Sequence, residues 1–431
     1  MTRPSSTEPE SASPPAECPA RAWQGAVPLS GPSFQSEPQS VYRAMRRDHG
    51  PVVPVELPGG FPAWLVIGYR ELHQVTSDGE LFPRDVGLWN QWEHIPQDWP
   101  LLPMVGRPLP SIYFSAGDEH RRHARMVGPA LEGADPFEIR NHCEQLADRL
   151  IDAVCSRGTA DLVADFCEPL PVLVLARLVG FPDEEGASIA RVLKDLADGG
   201  PGAQEAHLRF GEHMARLVAA KRAAPGDDVT SRMLAFPEAF TDEEYMLDLM
   251  AITAAGHLTT ADWISNSLRL MLTEDEFAQS MAGGRRSVAE AMNEVLWEDG
   301  PTQILAGRWA ARDTRLGGRP VRAGDMLLLG LGAANTDPLI RQSLTGGGSS
   351  AQGGNGAHLA FSHGEYRCPF PAQEIAETIA RTGIEVLLDR LPDLELRGPV
   401  ADLVRRPSAF LRGNTALPVR FTPVRTTGDL S

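Results

Sequence analysis

From Val41 onward, segments with an apolar residue every third or fourth position alternate with shorter segments of extended character. The three-to-four spacing predicts helices over Arg140–Cys155, Pro171–Val179, Glu185–Leu196 and Gln204–Ala223. Val52–Glu56 and Ala63–Ile67, the second closed by Gly68, read as a strand pair. The strongest helix begins after Thr241, which with Glu244 fits a capping box, and no proline follows until Pro301. Helical from Asp242 to about Glu274, it would be roughly 50 Å long. Met246, Leu247, Leu249, Met250, Ile252, Ile264, Leu268 and Leu270 surround its axis, as in a helix through the middle of a large protein. Gly256 and the pair Thr259–Thr260 weaken its centre. Such a weakness is either tolerated variation or the approach of a ligand.

Further along, Arg308–Leu331 is extended, with Leu316-Gly317-Gly318 and Ala323-Gly324-Asp325 as turns. The tract Gly346–Gly356 reads as a flexible surface loop, Ala372–Asp389 as an amphipathic helix and Thr415–Phe421 as a strand. Residues 1–38, rich in Pro, Ser and Glu, have no apolar period and are expected to be disordered. One domain over 39–425 and a flexible tail over 426–431 complete the chain, which is expected to be mainly α with small β-sheets.

Composition narrows the function. The net charge of −17 over 431 residues disfavours nucleic acid as a partner. No run of about 18 apolar residues is present for a membrane span, and Met1–Ala20 has no apolar signal core. A cytoplasmic location is therefore expected, where disulfides are rare. The five cysteines leave at least one thiol with no partner of its own kind.

Cys368 is the candidate for a dedicated role. It follows a glycine turn in Phe361-Ser362-His363-Gly364-Glu365-Tyr366-Arg367-Cys368-Pro369-Phe370-Pro371, just before a helix. A helix amino terminus favours thiolate, and its N–H groups tune a metal-bound sulfur. A buried structural cysteine is the plainer reading. Zinc held by His358, His363 and Cys368 lacks a fourth ligand. A cysteine hydrolase would need a histidine brought from elsewhere.

This turn resembles the haem-binding signature of cytochrome P450s, F-G-x-G-x-(H/R)-x-C-x-G, through Phe361, Gly364 and Cys368. Ser362 and Phe370 stand in place of its other two glycines, and Tyr366 in place of its basic residue. Ala255-Gly256-His257-Leu258-Thr259-Thr260 resembles A-G-x-(D/E)-T-T on the family's long distal helix, with Leu258 replacing the acid. Asp118-Glu119-His120-Arg121-Arg122-His123-Ala124-Arg125 resembles the E-H-x-R-x-R-R stretch that meets the haem propionates, with Ala124 where the arginine stands. By itself that stretch also reads as a solvated basic helix face. Arg308 matches the strand arginine for the other propionate. Ala334-Asn335-Thr336-Asp337-Pro338 and Leu417-Pro418-Val419-Arg420-Phe421 complete the matches in family order, from about Val41 to Phe421.

The resemblance implies a P450 fold, with haem b (iron protoporphyrin IX) between the long helix and the cysteine loop. It implies Cys368 as the axial iron ligand and Thr259 as organiser of protons, unless that threonine only bends its helix. His120 and Arg308, with Arg125 and Tyr366 as further candidates, would anchor the propionates. Phe361, Gly364 and Gly256 would shape the cofactor site. The implied activity is a monooxygenase acting on a small apolar organic substrate. A separate ferredoxin and ferredoxin reductase would supply electrons, since no flavin or iron–sulfur module is evident.

The family's E-x-x-R appears as Glu294-Val295-Leu296-Trp297, as in a group of actinobacterial P450s that lack this arginine. Trp297 has one N–H and no charge, so it makes no bidentate ion pair. These departures keep open a haem protein that is peroxide-driven or non-catalytic. Trp89, Trp92 and Trp99 lie in the family's variable distal loop, where they either line the pocket or pack beneath the loop.

Overall fold

The computed structural model describes residues 25–29, 34, 37–99, 101–105, 107–198, 202–273, 287–340 and 356–426. The glycine tract before Gly356, most of the amino-terminal segment and the tail from residue 427 lie outside the described residues. In chain order the principal elements are β1 (Val27–Pro28), α1 (Pro38–His49), β2 (Val52–Leu57), β3 (Phe61–Val66), α2 (Tyr69–Ser77), α3 (Gly117–Glu132), α4 (Pro136–Asp152), β4 (Thr159–Asp161), α5 (Pro169–Val179), α6 (Asp183–Asp198) and α7 (Ala203–Ala223). After these come α8 (Asp242–Thr273), α9 (Val288–Glu298), β5 (Leu305–Trp309), β6 (Thr314–Leu316), β7 (Arg319–Val321), β8 (Met326–Leu329), α10 (Phe370–Arg390), β9 (Glu395–Leu396) and β10 (Pro418–Arg420).

Part of the amino-terminal segment is among the described residues. Val27 and Pro28 run parallel to Val55 and Glu56 of β2, and Leu29 and Phe34 are buried. Two apolar residues that lack any period in sequence are enough to complete the edge of a sheet.

α8 is the axis of the molecule. Its first turn is closed by the capping box expected from sequence: Glu244 N–H donates to Thr241 Oγ1 at 3.2 Å and Thr241 N–H to Glu244 Oε2 at 2.6 Å. Helices α5, α7, α9 and α10 pack against it. Ile264 and Leu268 are fully buried in that layer, each contributing roughly 1.5–3 kcal/mol. Helices α4 and α5 begin a few residues before their apolar periods do. Proline occupies the first helical turn of each, and Asp135 accepts from Phe137 N–H at 2.8 Å. Caps are polar, so periodicity does not reveal them.

Beside the helices lies a five-stranded sheet in the order β1-β2-β3-β8-β5. β2 and β3 are antiparallel, with Val52 opposite Val66 and Leu57 opposite Phe61. β5 runs antiparallel to β8 with an irregularity between Leu305 and Arg308, which pairs with Leu327. That register delivers Arg308 to the junction of sheet and helices. A second sheet, β4-β10-β9, includes the strand expected over Thr415–Phe421. Among the described residues no helix is long and apolar enough to cross a membrane.

Candidate functional site

Cys368 sits at the end of a closed turn whose hydrogen bonds are local. Its N–H donates to the Phe361 carbonyl at 3.0 Å, and Ser362 N–H donates to the Leu359 carbonyl at 2.8 Å. Gln373 Nε2, from the first turn of α10, donates to the Cys368 carbonyl at 2.7 Å. Gly364 has φ 76°, and a Cβ there would stand 1.8 Å from the Thr76 carbonyl oxygen, so only glycine lets the turn lie against the end of α2. Ser362 adopts φ 62°, the one non-glycine residue with positive φ among the described residues. Its Oγ is buried without a partner.

The thiol is half-buried, and burial pushes it up to about 12. That is the reverse of what a cysteine nucleophile needs, whereas a coordinated metal removes the proton outright. His363 does not turn toward the sulfur; it stacks on His73 at the surface, ring centres 4.4 Å apart. Among the described residues only Glu119, His123 and Glu244 bring three metal-ligating groups together, so the zinc set His358–His363–Cys368 is not formed.

Behind the turn stands a row of rings. Trp297 of α9 meets His358 at 5.9 Å, His358 meets Phe361 at 6.0 Å and Phe361 meets Trp263 of α8 at 5.8 Å. Trp263 Nε1 donates to the Met292 carbonyl at 3.0 Å. Asn335 adds a polar strut, donating to the Leu296 carbonyl at 3.0 Å and accepting from Leu359 N–H at 2.7 Å. The cysteine loop is thus fixed to both α8 and α9. Burial lowers His358 to about 4, so it is neutral at pH 7.

Around Ala255, α8 carries a strip that is less buried than the Ala261–Leu268 stretch beyond it. Ile252, Ala255, Gly256 and Thr259 recur at helical spacing along it, and Ala255 is exposed at mid-helix. Thr259 Oγ1 donates to the Ala255 carbonyl at 2.6 Å, which leaves its lone pairs toward the strip. Gly256 faces α5, where an added Cβ would stand 3.0 Å from Leu175 Cδ1. Leu258 brings no ionisable group to the strip.

At one end of the site the structure gathers His120, Tyr366 and Arg308. Arg308 is 1 % exposed, its guanidinium lies 4.4 Å from the centre of the Tyr366 ring, and none of its three nitrogens has a partner. Tyr366 packs against His120 at 4.7 Å and accepts from Gly117 N–H at 3.2 Å. His120 Nδ1 lies 3.0 Å from the Ile112 carbonyl and Nε2 3.3 Å from the Glu365 carbonyl. A neutral imidazole donates through only one of these, and burial lowers the His120 pKa. Burial and a neighbouring Arg84 push Arg308 down to about 9. A buried guanidinium without an anion is costly, and the carboxylates of a porphyrin edge fit this arrangement. Arg125 does not join the group; it pairs with Glu238 on the surface at 3.2 Å.

Sequence reasoning missed Arg84, whose guanidinium lies 4.2 Å from the centre of the Tyr113 ring. It belongs to no periodic segment or motif, and only the folded chain brings it near Arg308. The tryptophans resolve in favour of packing. Trp89 and Trp99 are buried 5.6 Å apart, both against Phe61 of β3, and Trp99 Nε1 donates to the Pro58 carbonyl at 2.7 Å.

No family model matches the chain. Individual proteins do. Cytochrome P450 105C1 of a Streptomyces species is 30% identical over 381 residues, which cover 87% of this chain and 93% of that protein. The vitamin D(3) 25-hydroxylase of Pseudonocardia autotrophica is 28% identical over 404 residues, covering 91% and 95%. Among solved structures, CYP154C4 from a Streptomyces species superposes with a TM-score of 0.83 at 27% identity, over 93% of this chain and 99% of that one.

Proposed function

This chain belongs to the cytochrome P450 family and is a haem-dependent oxidoreductase; on that premise we propose how its residues divide the work and what it acts on. The reaction we assign is insertion of one atom of dioxygen into a small apolar molecule, with a ferredoxin and its reductase as electron source and the cytoplasm as location. Haem, when bound, would supply the iron at which dioxygen is activated, with its electron richness tuned by a thiolate ligand. Cys368 Sγ is the proposed ligand, held by the Phe361–Cys368 turn and the Gln373 bond. Arg308 and Tyr366, with His120 beside them, are the proposed contacts for the carboxylate edge.

Over the site, Thr259 holds a proton at Oγ1, shared with the Ala255 carbonyl, and passes it to a distal acceptor when that bond turns. Leu258 gives it no acid neighbour, so the proton must reach Thr259 through water. Ile252 and Ala255 offer an apolar surface that suits an apolar substrate and expels water from it. A relative that hydroxylates vitamin D(3) supports the same substrate class.

The observation that carries this reading is the buried, unpartnered Arg308 guanidinium on the same side as the Cys368 turn. The test is turnover of haem-loaded protein with a surrogate ferredoxin pair, NAD(P)H and labelled dioxygen, over a panel of apolar substrates. A product carrying one labelled oxygen is expected. Peroxide-only turnover, or none across the panel, contradicts the reading.

A further inference from the structure

Two guanidinium groups, not one, are buried at the Arg308 end of the site. Arg84 is 7 % exposed. Its backbone is held to the end of β5, because the Pro83 carbonyl accepts from Trp309 N–H at 3.1 Å and the Leu81 carbonyl from Ala311 N–H at 2.9 Å. Its side chain passes the α-carbon of Gly307, where an added Cβ would stand 3.5 Å from Arg84 Nε. Its charge is felt at both Arg308 and His120.

Among the described residues neither arginine has a carboxylate at ion-pair distance. Asp85 is committed to Gly87 N–H at 2.9 Å, and Glu365 pairs with Arg121 at 2.7 Å. Arg84 and Arg308 therefore repel each other, and the faces of Tyr113 and Tyr366 and the more distant charge of Glu365 offset this in part. Such a pair destabilises the polypeptide alone and requires an anion of matching charge. A dicarboxylate edge supplies one carboxylate per guanidinium. The arginine that the family carries four residues after His120 is absent here, since Ala124 stands there and Arg125 pairs with Glu238.

We propose that Arg84 is a haem-propionate residue of this chain, sharing the two propionates with Arg308 and replacing the cation absent at Ala124. This rests on the haem-binding reading of the site.

The experiment compares wild type, Arg84→Gln and Arg308→Gln in two states. In the ferric holoprotein, transfer of haem to excess apomyoglobin should be about tenfold or more faster for Arg84→Gln, the loss expected for one charge-assisted hydrogen bond. In the apoprotein the sign should reverse, because removing one of two repelling cations leaves the thermal midpoint unchanged or raised. Arg84→Lys should retain haem to an intermediate degree. Wild-type haem retention in Arg84→Gln alongside faster loss in Arg308→Gln would overturn the proposal. So would an Arg84→Gln apoprotein that unfolds more readily than wild type, which is what a purely structural stacking role on Tyr113 requires. A wild-type chain that takes up no haem would instead defeat the underlying reading of the site, seen before any variant is compared.

Discussion

Trp297 meets His358 edge to face, ring centres 5.9 Å apart at an interplanar angle of 83°. This contact stands where the family's glutamate–arginine pair braces the cysteine loop, and it braces by packing instead of charge. Trp297 is 4 % exposed. Trp297→Ala should therefore cost about 3–5 kcal/mol of stability. Trp297→Arg, although it restores the family residue, should also destabilise, because it puts a cation against buried rings. Denaturant midpoints of the holoproteins check both, and an Arg variant more stable than wild type would refute the packing account.

Ser362 adopts φ 62° where the family signature has glycine, and its hydroxyl is buried without a partner. Ser362→Gly should stabilise the protein by about 1 kcal/mol, since a left-handed non-glycine residue costs about that much. A raised thermal midpoint is the expected result. Gly364→Ala should do the opposite and abolish the cysteine loop, since its Cβ would lie 1.8 Å from a carbonyl oxygen that cannot move alone. Its expected signature is loss of haem from a chain that retains helical circular dichroism.

Acid should unfold the protein through its buried histidines. Burial depresses His358 and His142 to about 4, against an ordinary value near 6.5. Between those values the unfolded chain binds more protons than the folded one, so stability rises with pH through the window and is lost as pH falls from 6.5 toward 4. Each group contributes a loss of about 1 kcal/mol by pH 5.5. His358→Phe, which keeps the ring, should flatten the dependence of the thermal midpoint on pH over that range.

Thr259→Ala should uncouple electron use from product, because Leu258 gives Thr259 no acidic neighbour to take over its role. Product formed per NAD(P)H should fall by about tenfold or more, within the range for a single proton donor. Thr259→Ser should largely restore it. Unchanged coupling in Thr259→Ala would leave that threonine with only a helix-bending role.

The long α8 was legible because a capping box, 3.6-residue periodicity and the absence of proline all point one way. The turn ahead of Cys368 was legible because Gly364 stands where the chain takes a positive φ. The ring row was not, since Trp263, Trp297, His358 and Phe361 come from three separate segments whose meeting depends on how α8 and α9 cross. The position of Arg84 was hidden for the same reason: nothing local marks a loop arginine that is buried only when β5 closes beside it. A glycine in a helix signals close approach without saying by what, and at Gly256 the side chain that approaches is Leu175.

The most direct test of the central claim is the absorption spectrum of the ferrous haem-loaded protein with carbon monoxide. If Cys368 ligates the iron in a loop braced by Trp297, the Soret band moves strongly to the red, to the thiolate position, and Cys368→Ala abolishes that shift. A band at the position of a neutral or histidine ligand in the wild-type protein would contradict the account.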